Sequence, residues 1–294
     1  MERLTRFAPT PSGYLHFGNA LNFFLVWAWA RREKMSILLR IDDVDQSRFR
    51  QDYLDDIFLS LQWLGLDYHF GPKSSDEFLK QYSQNLKMEK YLHHARRLHE
   101  SGLTYFCSCS RKDIGPSSYQ GTCREKNLSS GIMRLNLDRC RQDGIIDDNE
   151  YHNLLNTVGD FAIVDRDRRA MYQLVSVIED LEAGVTHIMR GEDLAPSTKA
   201  QQLLAVGLKF SAFKKIRFCF HDLVSSPEGK KLSKSAGAFA LKNLYSQNAD
   251  PSEFYSWASS ILDVGDVGPK CESANCLADS LSKDYFDRDF IHFA

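Results

Sequence analysis

No apolar run in the sequence is long enough to cross a bilayer. The longest, Phe23 to Ala30, falls well short of the roughly 20 residues required. The N-terminus also lacks the basic-then-apolar pattern of a secretory leader, so a cytoplasmic protein without membrane contact is expected. An excess of one charge is missing too: 37 Lys and Arg stand against 39 Asp and Glu, a net charge of −2. Any contact with nucleic acid must therefore come from a local patch rather than the whole surface. Cysteine occurs 7 times, an odd number in a chain without a leader, which speaks against a disulfide framework and leaves metal ligation or plain thiols. There is no internal repeat or low-complexity tract, which excludes a repeat array. No paired carboxylates and no nucleophilic triad point to covalent catalysis.

What is present suits one large domain with an insertion. Among 294 residues, 43% are hydrophobic and 26% charged, enough to bury a sizeable core. Leu4 to Ala8 reads as a short strand, ended by the turn Pro9 to Gly13 because its two prolines cannot continue a ladder. Ala20 to Arg32 reads as a helix that is apolar almost all round, which suits burial against a sheet. Ile37 to Ile41 follows as a buried strand. Strand, turn, helix and strand make a βαβ unit and imply a parallel sheet. A second helix is expected from Phe49 to Leu64, stopped by Gly65, and a third over roughly Asp76 to Glu100, stopped by Gly102. The polar stretch from Arg124 to Gly159 reads as insertion. Apolar runs at Phe161 to Val164, Tyr172 to Ile178, Val185 to Met189 and Ile216 to Phe220, with a helix from Ser197 to Val206, are expected to complete a doubly wound α/β sheet.

Three segments carry chemistry. In Arg6-Phe-Ala-Pro-Thr-Pro-Ser-Gly-Tyr-Leu-His16-Phe-Gly18-Asn19, a strand end and a Pro/Gly turn lead into a helix start whose free N–H groups favour phosphate. The same residues read equally as a chain reversal with His16 as a structural histidine. Glu228-Gly-Lys-Lys231-Leu-Ser-Lys234-Ser-Ala-Gly237 reads either as a loop that closes over a nucleotide and neutralises a leaving pyrophosphate, or as a solvated lysine loop. In Cys107-Ser-Cys109, Tyr119 and Cys123, three cysteines within 17 residues can wrap one tetrahedral Zn²⁺ but need a fourth ligand. The basic side chains Arg111, Lys112 and Arg124 beside them are candidate phosphate contacts.

Taken together, Pro-x-Pro-Ser-Gly-x-x-His-x-Gly near the start and Lys-Leu-Ser-Lys-Ser far downstream resemble the paired signatures of class I aminoacyl-tRNA synthetases. Leu39 to Arg48, with Asp42, Asp43 and Asp45, resembles a corresponding stretch of glutamyl-tRNA synthetases and their short paralogues. So do Tyr172 to Asp180 and Gly184 to Leu194, the latter containing Arg190. The resemblance spans roughly Arg3 to Lys242.

It implies a Rossmann-type catalytic core with a zinc-bearing insertion and a short helical C-terminal part. The expected boundaries are 1–100 and 160–242 for the two halves of the catalytic domain, 101–159 for the insertion and 243–294 for the helical part. Arg6 and Arg190 would hold the substrate carboxylates, with Phe7, Ala8, Pro9 and Thr10 beside them; Asp42 would hold the α-ammonium and Tyr172 would line the pocket. An acidic amino acid needs forked cationic donors, and its ammonium needs a carboxylate. His16, Gly18 and Asn19 would lie near the phosphates of Mg²⁺-bound ATP, with Lys231 and Lys234 on the mobile loop. Asp42 departs from the glutamyl pattern, which carries glutamate there whereas glutaminyl enzymes carry aspartate; Arg190 keeps glutamate ahead of glutamine. Asp43 and Asp45 also read as caps of the following helix.

Cys-x-Cys with Tyr-x-x-x-Cys resembles the zinc site of the short paralogues, in which a tyrosine oxygen completes the shell, implying Cys107, Cys109, Tyr119 and Cys123 as ligands. Length favours those paralogues as well, since ordinary glutamyl-tRNA synthetases continue into an anticodon-binding region. They form glutamyl-AMP from L-glutamate and ATP and acylate queuosine in the anticodon arm of tRNA(Asp). A monomer is expected. A truncated glutamyl- or glutaminyl-tRNA synthetase and a non-catalytic RNA-binding paralogue are the alternatives.

Overall fold

A computed structural model of the chain describes residues 2–115, 118–222, 240–262, 271–282 and 285–286. The segment carrying Lys231 and Lys234 lies outside the described residues. Seven strands are described: β1 (Leu4–Phe7), β2 (Ser36–Leu39), β3 (Thr104–Cys107), β4 (Ile132–Leu135), β5 (Ala162–Val164), β6 (His187–Gly191) and β7 (Arg217–His221). The chain divides into two compact units, the first of residues 1–83, 185–192 and 217–294, the second of residues 84–184 and 193–216.

In the first unit, β1 pairs in parallel with β2, and β6 in parallel with β7. Thr186, at the foot of β6, donates its N–H to the carbonyl of Leu4 at 2.9 Å and receives the N–H of Leu4 on its hydroxyl, so the feet of β1 and β6 lie together. The helix Phe17–Glu33 provides the crossover from β1 to β2 that the sequence implied. Residues on every side of it are buried, from Phe17 through Ala30, because it is enclosed by the core rather than laid on its surface. Each large side chain removed from water there contributes about 1.5–3 kcal/mol, and the indole of Trp27 keeps a partner by donating to Asp67 Oδ1 at 2.6 Å. The second expected helix runs Gln51–Leu64 and stops at Gly65, whose φ of 70° is the left-handed value that favours glycine.

The helix expected over Asp76 to Glu100 is broken. Short turns span Ser75–Glu77, Phe78–Tyr82 and Gln84–Lys87, and a regular helix begins only at Met88 and ends at Glu100. The break falls at Ser83, which turns to an extended ψ of 131°; its hydroxyl donates to Asp43 Oδ2 at 2.5 Å. A tertiary hydrogen bond thus overrides local helical pattern.

The second unit holds an antiparallel sheet in the order β3-β4-β5. Phe161 to Val164 was expected to extend the parallel sheet, but β5 pairs here instead. Tyr172 to Ile178, also expected as a strand, is the start of the helix Tyr172–Glu182. Leu174 through Asp180 are all buried, so the run carries no polar stripe and its periodicity cannot separate buried strand from buried helix. The polar stretch after Arg124 contains β4 and the helices Leu137–Gln142 and Asp148–Thr157. The insertion expected over 101–159 falls inside this unit, which begins earlier and runs on to Gly184.

The odd cysteine count spoke against a disulfide framework, yet Cys271 and Cys276 form a disulfide with their Cα atoms 5.4 Å apart. Ser273 caps the helix Ala274–Ser280 by accepting from the N–H of Cys276, which folds the intervening residues back and brings the sulfurs together. Among the described residues, no helix is long and apolar enough to cross a membrane.

Candidate functional site

The parallel strands of the first unit gather most of the expected substrate residues at their C-terminal ends, the edge where open α/β sheets bind ligands. Arg6 and Phe7 end β1 and are buried, Pro9 is buried beyond them, and Ala8 and Thr10 are more open. Arg190 lies near the end of β6, 3% exposed, with its guanidinium 5.5 Å from the Phe218 ring centroid. Asp42 follows β2; its N–H donates to the carbonyl of Pro9 at 2.8 Å, holding the β2 exit against the β1 exit. The Asp42 carboxylate receives Arg40 Nε at 2.8 Å and a second guanidinium nitrogen at 3.0 Å, and both side chains are buried. Such a fork fixes the plane of the carboxylate. Arg40 was not among the residues singled out from sequence, although residues two apart on an extended chain share a face and an Arg-x-Asp triplet carried that signal.

Asp43 and Asp45 do not cap the following helix. Asp43 binds Ser83 and, through its carbonyl, the amide of Gln46 at 2.7 Å, while Asp45 closes a local turn by accepting from Ser47 and Arg48. The helix Gln51–Leu64 starts at Arg50 without a side-chain cap.

His16 is the N-cap of the helix Phe17–Glu33, and Asn19 completes a reciprocal capping box. His16 Nδ1 accepts from the N–H of Asn19 at 3.4 Å, and Asn19 Oδ1 accepts from the N–H of His16 at 3.3 Å. Gly18 lies within that first turn. His16 and Asn19 thus shape the very helix end whose dipole favours anions.

In the second unit, Tyr172 opens the helix Tyr172–Glu182 after the extended Met171. The same unit brings Cys107, Cys109, Tyr119 and Cys123 together. Tyr119 Oη lies 3.2 Å from Cys107 Sγ and 3.6 Å from Cys109 Sγ, and the sulfurs of Cys109 and Cys123 are 3.5 Å apart. The three thiols lie within 4.8 Å of one another. A tetrahedron with metal–sulfur bonds of about 2.3 Å has edges of about 3.8 Å, so the donor set and its separations suit a metal ion of that geometry. Burial alone would raise the Cys123 thiol, but hydrogen bonds with Tyr119, the Ser108 backbone and the two other thiols outweigh it and lower the thiol to about 6. Thiolate is the ligand form.

Gly159, at φ 63°, passes so close to Tyr119 that a Cβ there would meet its backbone at 2.5 Å. Next to it the fully buried Asp160 accepts two bonds from Arg124 at 2.7 Å each and one from the Tyr105 hydroxyl at 2.6 Å. Arg124 is therefore committed to an internal ion pair, which corrects the expectation that it contacts phosphate. Arg134 lies 4.2 Å above the Tyr119 ring.

A family model described as "tRNA synthetases class I (E and Q), catalytic domain" matches residues 3–130 and 118–258. The chain belongs to this family. Among curated relatives of the family, the glutamate–tRNA ligase of Frankia casuarinae is 32% identical over 251 residues, covering 81% of this chain and 51% of that protein. A relative from Symbiobacterium thermophilum named glutamyl-Q tRNA(Asp) synthetase is 34% identical over 278 residues, covering 84% of this chain and 82% of that protein. The chain thus spans about half the length of the glutamate–tRNA ligases it matches. The solved glutamate tRNA ligase of Elizabethkingia meningosepticum, in complex with its amino acid, superposes with a TM-score of 0.66 over 99% of this chain and 66% of its own, at 20% identity. That likeness establishes the class I synthetase fold.

Proposed function

We propose that this chain activates L-glutamate with Mg²⁺-bound ATP and passes the glutamyl group to queuosine at the wobble position of tRNA(Asp). In the first step a carboxylate oxygen of glutamate attacks the α-phosphorus and pyrophosphate leaves. In the second a hydroxyl of the queuosine cyclopentenediol attacks the carbonyl of glutamyl-AMP and AMP leaves. No covalent enzyme intermediate is needed, so the protein positions groups and stabilises charge. Arg6 and Arg190 pair with the substrate carboxylates, and Asp42, oriented by Arg40, receives the α-ammonium. The helix start at His16, Gly18 and Asn19 faces the nucleotide phosphates, and Lys231 and Lys234 neutralise the departing pyrophosphate.

The observation that carries the reading to the short paralogues is the phenol oxygen of Tyr119 among the three cysteine sulfurs, the mixed donor set that their zinc site resembles. The match across 82% of the Symbiobacterium relative supports it. Cys107, Cys109, Tyr119 and Cys123 would hold a structural Zn²⁺, which cross-links the knuckle and takes no part in acyl transfer.

Two assays test this. ATP–pyrophosphate exchange should require glutamate and proceed without RNA; exchange with glutamine alone rejects the amino acid, and none with either favours a non-catalytic paralogue. Acceptance of labelled glutamate should then be measured on queuosine-containing tRNA(Asp), on the same RNA lacking its terminal adenosine, and on an unmodified transcript. The first two should accept and the third should not. Charging of the unmodified transcript, abolished by removing the terminal adenosine, would make the protein a 3′-charging synthetase instead.

A further inference from the structure

Asp56 is a carboxylate that neither the signature segments nor the substrate pocket uses, yet it is 1% exposed in the first unit. It projects from the middle of the helix Gln51–Leu64 and accepts two hydrogen bonds from parts of the chain far apart in sequence. The N–H of Leu15, the residue before the helix cap His16, donates to Oδ2 at 2.8 Å. The hydroxyl of Tyr245 donates to Oδ1 at 2.6 Å. Tyr245 ends the helix Leu241–Tyr245, which begins four residues after the lysine segment closes at Gly237. The two regions meet at other points as well: His16 forms an antiparallel bridge with Ala240, and the N–H of Leu241 donates to the carbonyl of Leu15 at 2.9 Å. Lys242 Nζ donates to the Tyr14 hydroxyl at 2.8 Å and lies 4.1 Å from its ring centroid. Within that junction Asp56 is a third party, contributed by a separate helix and gripping both sides.

We propose that Asp56 is a positioning residue for adenylate formation, fixing the chain that follows the lysine segment against the start of the His16 helix. This rests on the activation step proposed above. Asp56 touches no reacting atom; it acts through Leu15 and Tyr245. A buried carboxylate with two fixed donors holds its neighbours more rigidly than backbone contacts alone, and small displacements of phosphate-facing groups are costly to rate.

The test compares the wild-type chain with Tyr245→Phe, Asp56→Asn and the double variant. Tyr245→Phe preserves the shape of the core and removes one link, so it remains informative if Asp56→Asn folds poorly. We expect the kcat of glutamate-dependent exchange to fall about threefold in Tyr245→Phe and about tenfold in Asp56→Asn, with the KM for glutamate within about twofold of wild type. The double variant should be no worse than Asp56→Asn, because both act through one link. Deuterium uptake of the peptide Tyr14–Asn19 should rise in Tyr245→Phe, although the substitution lies far away in sequence. Unchanged kcat in folded variants, additive losses, or unchanged uptake at Tyr14–Asn19 each overturn the proposal. A wild-type chain that exchanges with no amino acid overturns the activation reading itself. The uptake measurement then decides independently whether Asp56 ties the two segments.

Discussion

Tyr119 shows how much one hydroxyl can organise. It sits among the sulfurs of Cys107 and Cys109, accepts the N–H of Cys123 at 2.9 Å, and lies beneath the guanidinium of Arg134. With four donors converging, losing one should loosen the proposed metal strongly, since a three-coordinate site binds zinc much less tightly. Protein purified without added zinc should carry about one ion per chain, and Cys107→Ala should carry almost none by elemental analysis. Acid should have the same effect. The Cys123 thiol is lowered to about 6, below the ordinary thiol value of about 8.5, so its thiolate is available above that range and is lost as pH falls through about 6. Metal retained in Cys107→Ala would remove Cys107 from the ligand set, and a wild-type protein that lacks metal yet folds and reacts normally would leave Tyr119 without a ligand role.

At the scale of elements, β6 is held in place partly by a histidine that must stay neutral. His187 is 6% exposed, its ring 5.4 Å from Trp29 and its Nδ1 2.8 Å from the Thr186 hydroxyl. Burial lowers its pKa to about 4, with Arg217 and Arg3 adding to the effect and Glu33 opposing it. The unfolded chain has an ordinary histidine near 6.5, so between pH 6.5 and 4 the unfolded state binds the proton first and folding stability declines with falling pH. The thermal midpoint should therefore drop across that interval, and less steeply in His187→Gln. Equal slopes for the two proteins would place the acid sensitivity elsewhere. The same scale explains why Tyr172 to Ile178 misleads as a strand and why the third helix breaks. Both outcomes depend on neighbours, namely the helix Ala195–Gly207, which Gln173 reaches through the Ser197 hydroxyl at 3.1 Å, and Asp43, which binds Ser83.

For the whole molecule, the division into two units places the proposed metal ligands in one and the residues Arg6, His16, Asp42 and Arg190 in the other. Metal removal should therefore act unevenly. Dialysis against a strong chelator should raise hydrogen exchange in β3 and in Tyr119–Cys123, which the ion would cross-link, and leave β1 and the helix Phe17–Glu33 unchanged, because that helix is secured by its own apolar core. Uniform loosening of both units would mean that the metal stabilises the molecule globally, and no change would mean that the knuckle stands without it.

The sequence by itself determined the βαβ opening, because an apolar run of helical length between two short strands has few alternatives. It also determined the family, because the order of its motifs is a property of the chain and not of its folding. It grouped the three cysteines, since their spacing is local, while Tyr119 joined them through the resemblance to the short paralogues' zinc site. Tertiary structure alone decided the rest. The sheet that receives β5, the break at Ser83, the fork of Arg40 on Asp42, the burial of Arg124 against Asp160, the Cys271–Cys276 pair and the grip of Asp56 on Leu15 and Tyr245 all depend on what lies beside each residue in space. A hydrogen bond between residues 15 and 56, or 56 and 245, leaves no periodicity to read, because its energy comes from groups that meet only after the chain has folded.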